Sequence, residues 1–418
     1  MMIRGKQPTR RTFLFGAAGL ALASRAARSA VGSPDASGRF ATGHVGLGQR
    51  GAQLLESPGI DPRAFFDVDR EQITRAAPSA RAGARSVGSI DELLALSELD
   101  AVLIATPDHN HTRLAIAAIE AGKDVFLESP CIWQPYESKA LLAATRRWGA
   151  VVQSGEILPY TRAAAELRTR LAALPPGTPL QVTCRAPKNP EGGAFTFGDP
   201  PAGFDWVQWL GQTEARNYNP DYAHRNWRYM LDWGGGHIRA LGTTQLATLL
   251  WALGIETPAK VSVQSSGAAP ASGLWDCPPD FGARINIDGR LTVNWEQAEL
   301  TPEEAPCAMR IEGAGETMTL QGLDEQALLH GASAPLAPAG WQEVSPIESW
   351  TTCMTRRAAP LLPLATACSA ATLTQLAVWS WRLATPLEYD FATARVTNSE
   401  LVNRLMRARP GASYDAAP

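Results

Sequence analysis

FATGHVGLGQRGAQLL, residues 40–55, decides how this 418-residue chain begins to fold. A β-like run from Phe40 to Val45 enters Gly46-Leu47-Gly48-Gln49-Arg50-Gly51, and a helical pattern of Ala52, Leu54 and Leu55 follows. A glycine-rich turn alone says little. Set between a strand and a helix, it allows close backbone approach to a pyrophosphate lying at the helix N-terminus.

Working outward, a second strand, Arg63-Ala64-Phe65-Phe66, ends at Asp67, sixteen residues past Gly51. A carboxylate there accepts hydrogen bonds from adenosine ribose hydroxyls and repels a 2′-phosphate, which favours NAD over NADP. The competing reading is that Asp67 merely caps a loop, since Asp69 follows. Ser89-Ile90-Asp91-Glu92 has capping-box spacing and opens a short helix. Ala101 to Ala105 is a buried-strand run, and Thr106-Pro107-Asp108 turns into a helix carrying His111. Lys123 to Leu127 is the next strand and ends at Glu128. Strands and helices alternating in this way predict a parallel, doubly wound α/β sheet with ligand at the C-terminal strand ends. Thr106, Pro107, His111, Glu128, Ser129 and Pro130 are therefore cofactor-side candidates beside the glycine loop and Asp67.

"VGLGQRG", "FFDVD", "ATPDHNHTRLAIAAIEAGKDVFLESP" and "NWRYMLDWGGGHIRALGTTQLATLLWALG" together resemble the glucose-fructose oxidoreductase (Gfo/Idh/MocA) family, in order, over nearly all of the chain beyond its first residues. The resemblance implies an N-terminal Rossmann domain (40–155) and an α/β domain with a large, mostly antiparallel open sheet (156–385). It also implies a C-terminal tail (386–418) packing back on the Rossmann domain, an oligomer of identical chains, and NAD(P)-dependent chemistry on a sugar, cyclitol or glycoside. Strand-like runs at 260–263, 283–287, 291–295 and 309–312, and a helical stretch at 368–383, fit that second domain.

The family's proton-handling residues are missing. Where it commonly has Glu-Lys-Pro, this chain has Glu128-Ser129-Pro130, and its Asp and His positions are Ala240 and Thr244. Ser, Ala and Thr supply no group that titrates near neutrality. His237 would share a face with Ala240 and Thr244 on a continuous helix, so His237 and Tyr222 are the substitute candidates. Arg239, His224, Asp232 and His111 are further ones. Trp227, Arg228, Asp232, Arg239 and Thr244 are read as substrate contacts, although most aromatics between Trp206 and Trp233 suit a packed domain junction equally well. Three readings stay open: an oxidoreductase with rebuilt proton chemistry, an enzyme using transient oxidation for glycosidic cleavage or elimination, and a noncatalytic nucleotide-bound binding or assembly subunit.

Composition narrows the partners. The chain is 45% hydrophobic and 19% charged. Thr9-Arg10-Arg11-Thr12-Phe13-Leu14, the short apolar run to Ala23 and the alanine-rich stretch after it read as a twin-arginine signal (1–30), followed by a linker (31–39). The apolar run is too short to span a bilayer. The expected location is the periplasm or cell exterior, with the twin-arginine machinery as a transient partner. Without residues 1–30 the chain has 32 basic and 41 acidic residues, a charge of about −9, which offers no footing for nucleic acid or an anionic membrane. The six cysteines, Cys131, Cys184, Cys277, Cys307, Cys353 and Cys368, lack metal-ligand spacing and read mostly as core.

Overall fold

The computed structural model describes residues 34–79, 83–300, 308–322, 326–331 and 341–407. The twin-arginine signal and Cys307 lie outside the described residues. The first sheet has six parallel strands: β1 (Phe40–Val45), β2 (Ile60–Phe66), β3 (Arg85–Ser86), β4 (Ala101–Ile104), β5 (Asp124–Leu127) and β6 (Val152–Ser154). Their order is β3-β2-β1-β4-β5-β6, with the crossover beside β1. Both faces are covered, so β4 and β5 are buried throughout, as uninterrupted apolar strands require. Strand pleating divides β4: Val102 and Ile104 join the main core, while Ala101 and Leu103 join a second cluster on the opposite face.

Around this sheet lie α1 (Gln49–Leu54), α2 (Arg70–Ala76), α3 (Ile90–Leu94), α4 (His111–Glu120) and α5 (Glu137–Trp148). Ser89 accepts a hydrogen bond from the Glu92 amide and so caps α3. The side chain of Glu92 reaches the Gly88 amide at 2.7 Å.

The second sheet runs through β7 (Leu180–Pro187), β8 (Lys260–Ser266), β9 (Gly282–Ile287), β10 (Leu291–Ala298), β11 (Met309–Gly313), β12 (Glu316–Gln321) and β13 (Leu328–His330). With β14 (Leu387–Asp390) and β15 (Arg395–Val396) its order is β13-β12-β11-β7-β10-β9-β8-β14-β15. Every pairing is antiparallel except β7 with β10. On β7, Leu180, Val182, Cys184 and Ala186 point inward and the residues between them point outward. Helices α6 (Arg162–Ala173), α8 (Thr243–Ala252) and α10 (Leu364–Arg382) belong to this half, with α7 (Trp206–Leu210) in the loop-rich region before α8.

Two segments depart from the sequence expectation. The described part of the C-terminal tail, residues 386–407, extends the second sheet, β14 pairing with β8. Leu387 and Tyr389 alternate inward there, and burial of that stripe holds the tail at the sheet edge. Its hydrogen bond to the first domain runs from Lys139 Nζ to the Ala392 carbonyl at 3.1 Å. The segment that does return is α9 (Pro346–Arg356), started by a reciprocal capping box between Ser345 and Glu348. Trp350 on α9 is fully buried against Phe126, with ring centroids 5.7 Å apart, and donates from Nε1 to the Val151 carbonyl. α11 (Glu400–Arg407) ends the described chain.

Candidate functional site

A cleft of ≈ 1300 Å³ runs from the glycine loop to the loops between α7 and α8. At one end the loop's three glycines have three different surroundings. Gly46 has φ +86°, and a Cβ there would stand 2.8 Å from the Ala105 carbonyl. A Cβ on Gly51 would come within 1.9 Å of the Gly46 oxygen, so this glycine closes the helix onto the loop beneath the cleft floor. A Cβ on Gly48 would meet nothing within 4 Å. Gly48, Gln49 and Arg50 line the cleft, so open space lies at the point where a dinucleotide's pyrophosphate approaches the backbone. The residues fit that group.

Asp67 also lines the cleft, at the end of β2. Its carboxylate accepts from the Leu47 amide (2.6 Å) and the Asp69 amide (2.9 Å), so it props the loop while facing the cavity. Burial raises its pKa, and the two amide bonds oppose the rise. Across the cleft, His224 Nε2 lies 2.9 Å from Asp69, and Arg225 donates to Gln49 Oε1 at 3.0 Å, bringing the second half of the chain over the nucleotide loop.

Thr106, Pro107, His111, Glu128, Ser129 and Pro130 line the middle. The two ring nitrogens of His111 lie 2.9 Å from the Pro130 carbonyl and 2.8 Å from the Thr106 carbonyl, and burial lowers its pKa. Both ring nitrogens face backbone carbonyls, and a neutral imidazole donates its one N–H to one of the two, so His111 has no nitrogen left for the cleft. Glu128 is bound by Arg50, Nε to Oε1 2.9 Å; burial raises its pKa and the guanidinium opposes that. The Ser129–Pro130 bond is cis. Ser129 Oγ donates at 2.8 Å to Oε1 of Glu156, a buried carboxyl behind the cleft wall that sequence reading overlooked.

Burial is the largest cause raising the Glu156 pKa; Ser154 and Ser129 oppose it, and the neighbouring charge of Glu128 adds to it. The fold therefore prefers the protonated form. Its stabilising contribution is complete below the unfolded value of about 4.5 and is lost as pH rises through the folded pKa. Glu156→Gln, which keeps an acceptor for Ser129, is expected to be more stable than wild type in alkaline buffer, with the gap closing toward acid. Urea midpoints across pH test this; a gap that widens toward acid contradicts it.

At the far end Val207, Gln208, Trp209, Gln212, Trp227 and Arg228 form the opposite wall. Trp209 and Trp227 belong to a buried aromatic cluster whose centre is Trp233, met edge-on by Trp209 (4.8 Å) and Tyr222 (4.7 Å). Arg228 stacks its guanidinium 4.4 Å from the Trp227 ring. An apolar face edged by amide and guanidinium donors suits a ring with C–H faces and hydroxyl edges.

Several sequence candidates stand elsewhere. Tyr222 is buried in the aromatic cluster, parallel to Trp206, and does not line the cleft. His237 is not at the cleft either: its Nδ1 meets the Pro187 carbonyl at 2.9 Å and its ring packs against Tyr229. The backbone is helical from His237 to Ala252, but its first turn, Ile238–Gly242, is π-helical, so the regular spacing that would have aligned His237 with Ala240 and Thr244 does not hold. Ala240 lines the cleft and Thr244 does not. Asp232 pairs with Arg216 and Arg382. Arg239 is fully buried between domains. Asp108, by contrast, lines the cleft and received no role from sequence, although it follows Thr106-Pro107 at the C-terminal end of β4, where ligands of such sheets sit.

Among the described residues no group of three or more His, Cys, Asp or Glu side chains could hold a metal ion. None of the described helices is long and apolar enough to cross a membrane.

The profile of the GFO_IDH_MocA oxidoreductase family, NAD-binding Rossmann fold, matches residues 38–156. The chain is 31% identical over 158 residues to an inositol 2-dehydrogenase of Cereibacter sphaeroides, covering 37% of this chain and 45% of that one. It is 29% identical over 122 residues to an uncharacterized oxidoreductase of Streptococcus pneumoniae, covering 28% and 32%. The chain thus spans about a third to a half of the length of these curated relatives. Among solved structures, the WlbA dehydrogenase of Bordetella pertussis, in complex with NADH and UDP-GlcNAcA, shares the fold with TM-score 0.64 at 16% identity, over 83% of this chain and 97% of that one. The glycine loop, the Asp67 strand end and the sheet paired to them agree with that match, and residues 38–156 form an NAD-binding Rossmann domain of the Gfo/Idh/MocA oxidoreductase type.

Proposed function

We propose that this protein is an NAD-dependent dehydrogenase that oxidises a secondary alcohol of a sugar, cyclitol or glycoside. The observation that carries the proposal is one continuous cleft holding the glycine loop and Asp67 at one end and the Trp209–Trp227–Arg228 wall at the other. When bound, NAD supplies the hydride acceptor. Gly46, Gly48 and Asp67 hold its phosphates and ribose, Ser129 and Pro130 shape the middle, and the aromatic wall excludes water and orients the polyol. Relatives named for inositol and a fold shared with a nucleotide-sugar dehydrogenase support this ligand class.

The substitutions at Ser129, Ala240 and Thr244 support a second reading, a nucleotide-bound protein without turnover. One experiment separates the two. Nucleotide released from the purified protein is identified by mass, and reduced-nicotinamide absorbance is followed while sugars, cyclitols and glycosides are titrated in. Bound NAD reduced by one ligand is the expected result; NAD that stays oxidised with the whole panel favours the noncatalytic reading. We also propose export by the twin-arginine route to the periplasm or beyond, on the strength of Arg10-Arg11 and the apolar run after them. Arg10→Lys with Arg11→Lys should leave the protein in the cytoplasmic fraction.

A further inference from the structure

We infer that Asp108 is the group that exchanges a proton with the ligand hydroxyl, in place of the lysine and histidine this chain lacks. The inference rests on the dehydrogenase reading.

The titratable groups around the cleft leave few alternatives. Asp67 is tied to the Leu47 and Asp69 amides at the glycine-loop end. Glu128 is held by Arg50, His224 by Asp69, and His111 by two backbone carbonyls. Asp91 stands in the first turn of α3. Asp108 lines the same cleft as these groups and the aromatic wall, is 5% exposed, and its carboxyl accepts from its own backbone amide.

Burial pushes the Asp108 pKa up to about 7. The charged groups facing it are guanidiniums from two other segments, Arg239 of the π-helical turn and Arg228 of the turn at Asn226–Tyr229, and both hold the value down. An acid poised near neutrality serves in either direction, accepting a proton during oxidation and returning it during reduction. In the oxidation the ligand O–H bond breaks and its proton passes to an Asp108 carboxylate oxygen. The O–H electron pair becomes the second carbon–oxygen bond as hydride leaves that carbon for oxidised nicotinamide. Asp108 then gives the proton to solvent. Arg228, which also lines the cleft, is placed to steady the alkoxide as it forms.

The test uses nucleotide-loaded full-length protein, the ligand that reduces it, and three variants. Infrared titration should show a protonated-carboxyl stretch that disappears with a midpoint near 7 and is missing from Asp108→Asn. The oxidation rate should rise with pH through the same midpoint. Asp108→Asn should lose that limb and about 10²–10⁴-fold in kcat, while still carrying nucleotide. Arg228→Met, at an exposed position, should move limb and band together to higher pH, because a charge favouring the carboxylate is gone. Asp108→Asn with wild-type kcat, or a limb unmoved in Arg228→Met, overturns the assignment while the dehydrogenase reading survives. A wild type that reduces its nucleotide with no member of the panel, whatever the infrared band does, overturns both.

Discussion

Gly51→Ala is expected to yield protein without nucleotide, much of it unfolded. The new methyl would sit 1.9 Å from the Gly46 carbonyl oxygen, a backbone atom that cannot swing aside as a flexible side chain could. Gly46 itself is pinned, since its own missing Cβ lies 2.8 Å from Ala105 and its amide donates to the Phe66 carbonyl. The clash must therefore displace α1 or break the loop, a change in the class that costs upward of about 4 kcal/mol. Gly48→Ala makes the control. It meets nothing within 4 Å, so its melting temperature should match wild type while nucleotide is lost, because the methyl enters the space the phosphates need. Nucleotide content by mass and melting temperature, read side by side, check both. A Gly48→Ala protein that keeps its nucleotide would remove the loop from the binding site.

Arg239→Met should be the most damaging single change away from the cleft. The guanidinium donates to the Ala371 carbonyl (2.6 Å), to Thr374 Oγ1 (3.2 Å) and to the Ile132 carbonyl (2.7 Å), joining α10 to the loop after Pro130. A methionine fills similar volume but strips the Ile132 carbonyl of this donor, while the Ala371 carbonyl and Thr374 Oγ1 keep each other and Thr243 as partners, a loss of about 1–3 kcal/mol. The unfolding free energy from urea titration should fall by about 1–3 kcal/mol. The same change removes the stronger of the two charges that lower the Asp108 pKa, so the alkaline rise in oxidation should shift to higher pH in whatever protein folds. An unchanged stability would mean that water replaces the guanidinium at the junction.

Much of the architecture was legible in the sequence because it rests on short-range signals. Four of the six parallel strands, β1, β2, β4 and β5, follow from apolar runs separated by turn residues, and the nucleotide end from glycines fixed between β1 and α1; β3, two exposed polar residues, carries no such signal. The second sheet showed in the alternation of residues such as Leu291, Val293 and Trp295. What could not be read depends on long-range contact or on backbone exceptions. The π-helical turn at 238–242 has no period that marks it in advance, and it moved His237 away from the cleft that a regular helix would have let it face. Tyr222 looks like any tyrosine among polar neighbours until the indole of Trp233 is placed beside it. Glu156 and Asp108 are single carboxyls with no motif, and only the burial created by distant segments sets them apart.

The same dependence on distant segments gives α9 a consequence for synthesis. The matched nucleotide-binding region ends at residue 156, yet the slot beside Phe126 and Val151 is filled by Trp350. A ribosome that has made the six parallel strands has therefore made a sheet whose face around Phe126 and Val151 is still open to water, and nearly two hundred further residues must emerge before that part is closed. A gene fragment stopping at the matched region should express as an aggregating polypeptide, and nucleotide capture should wait until the chain is almost complete.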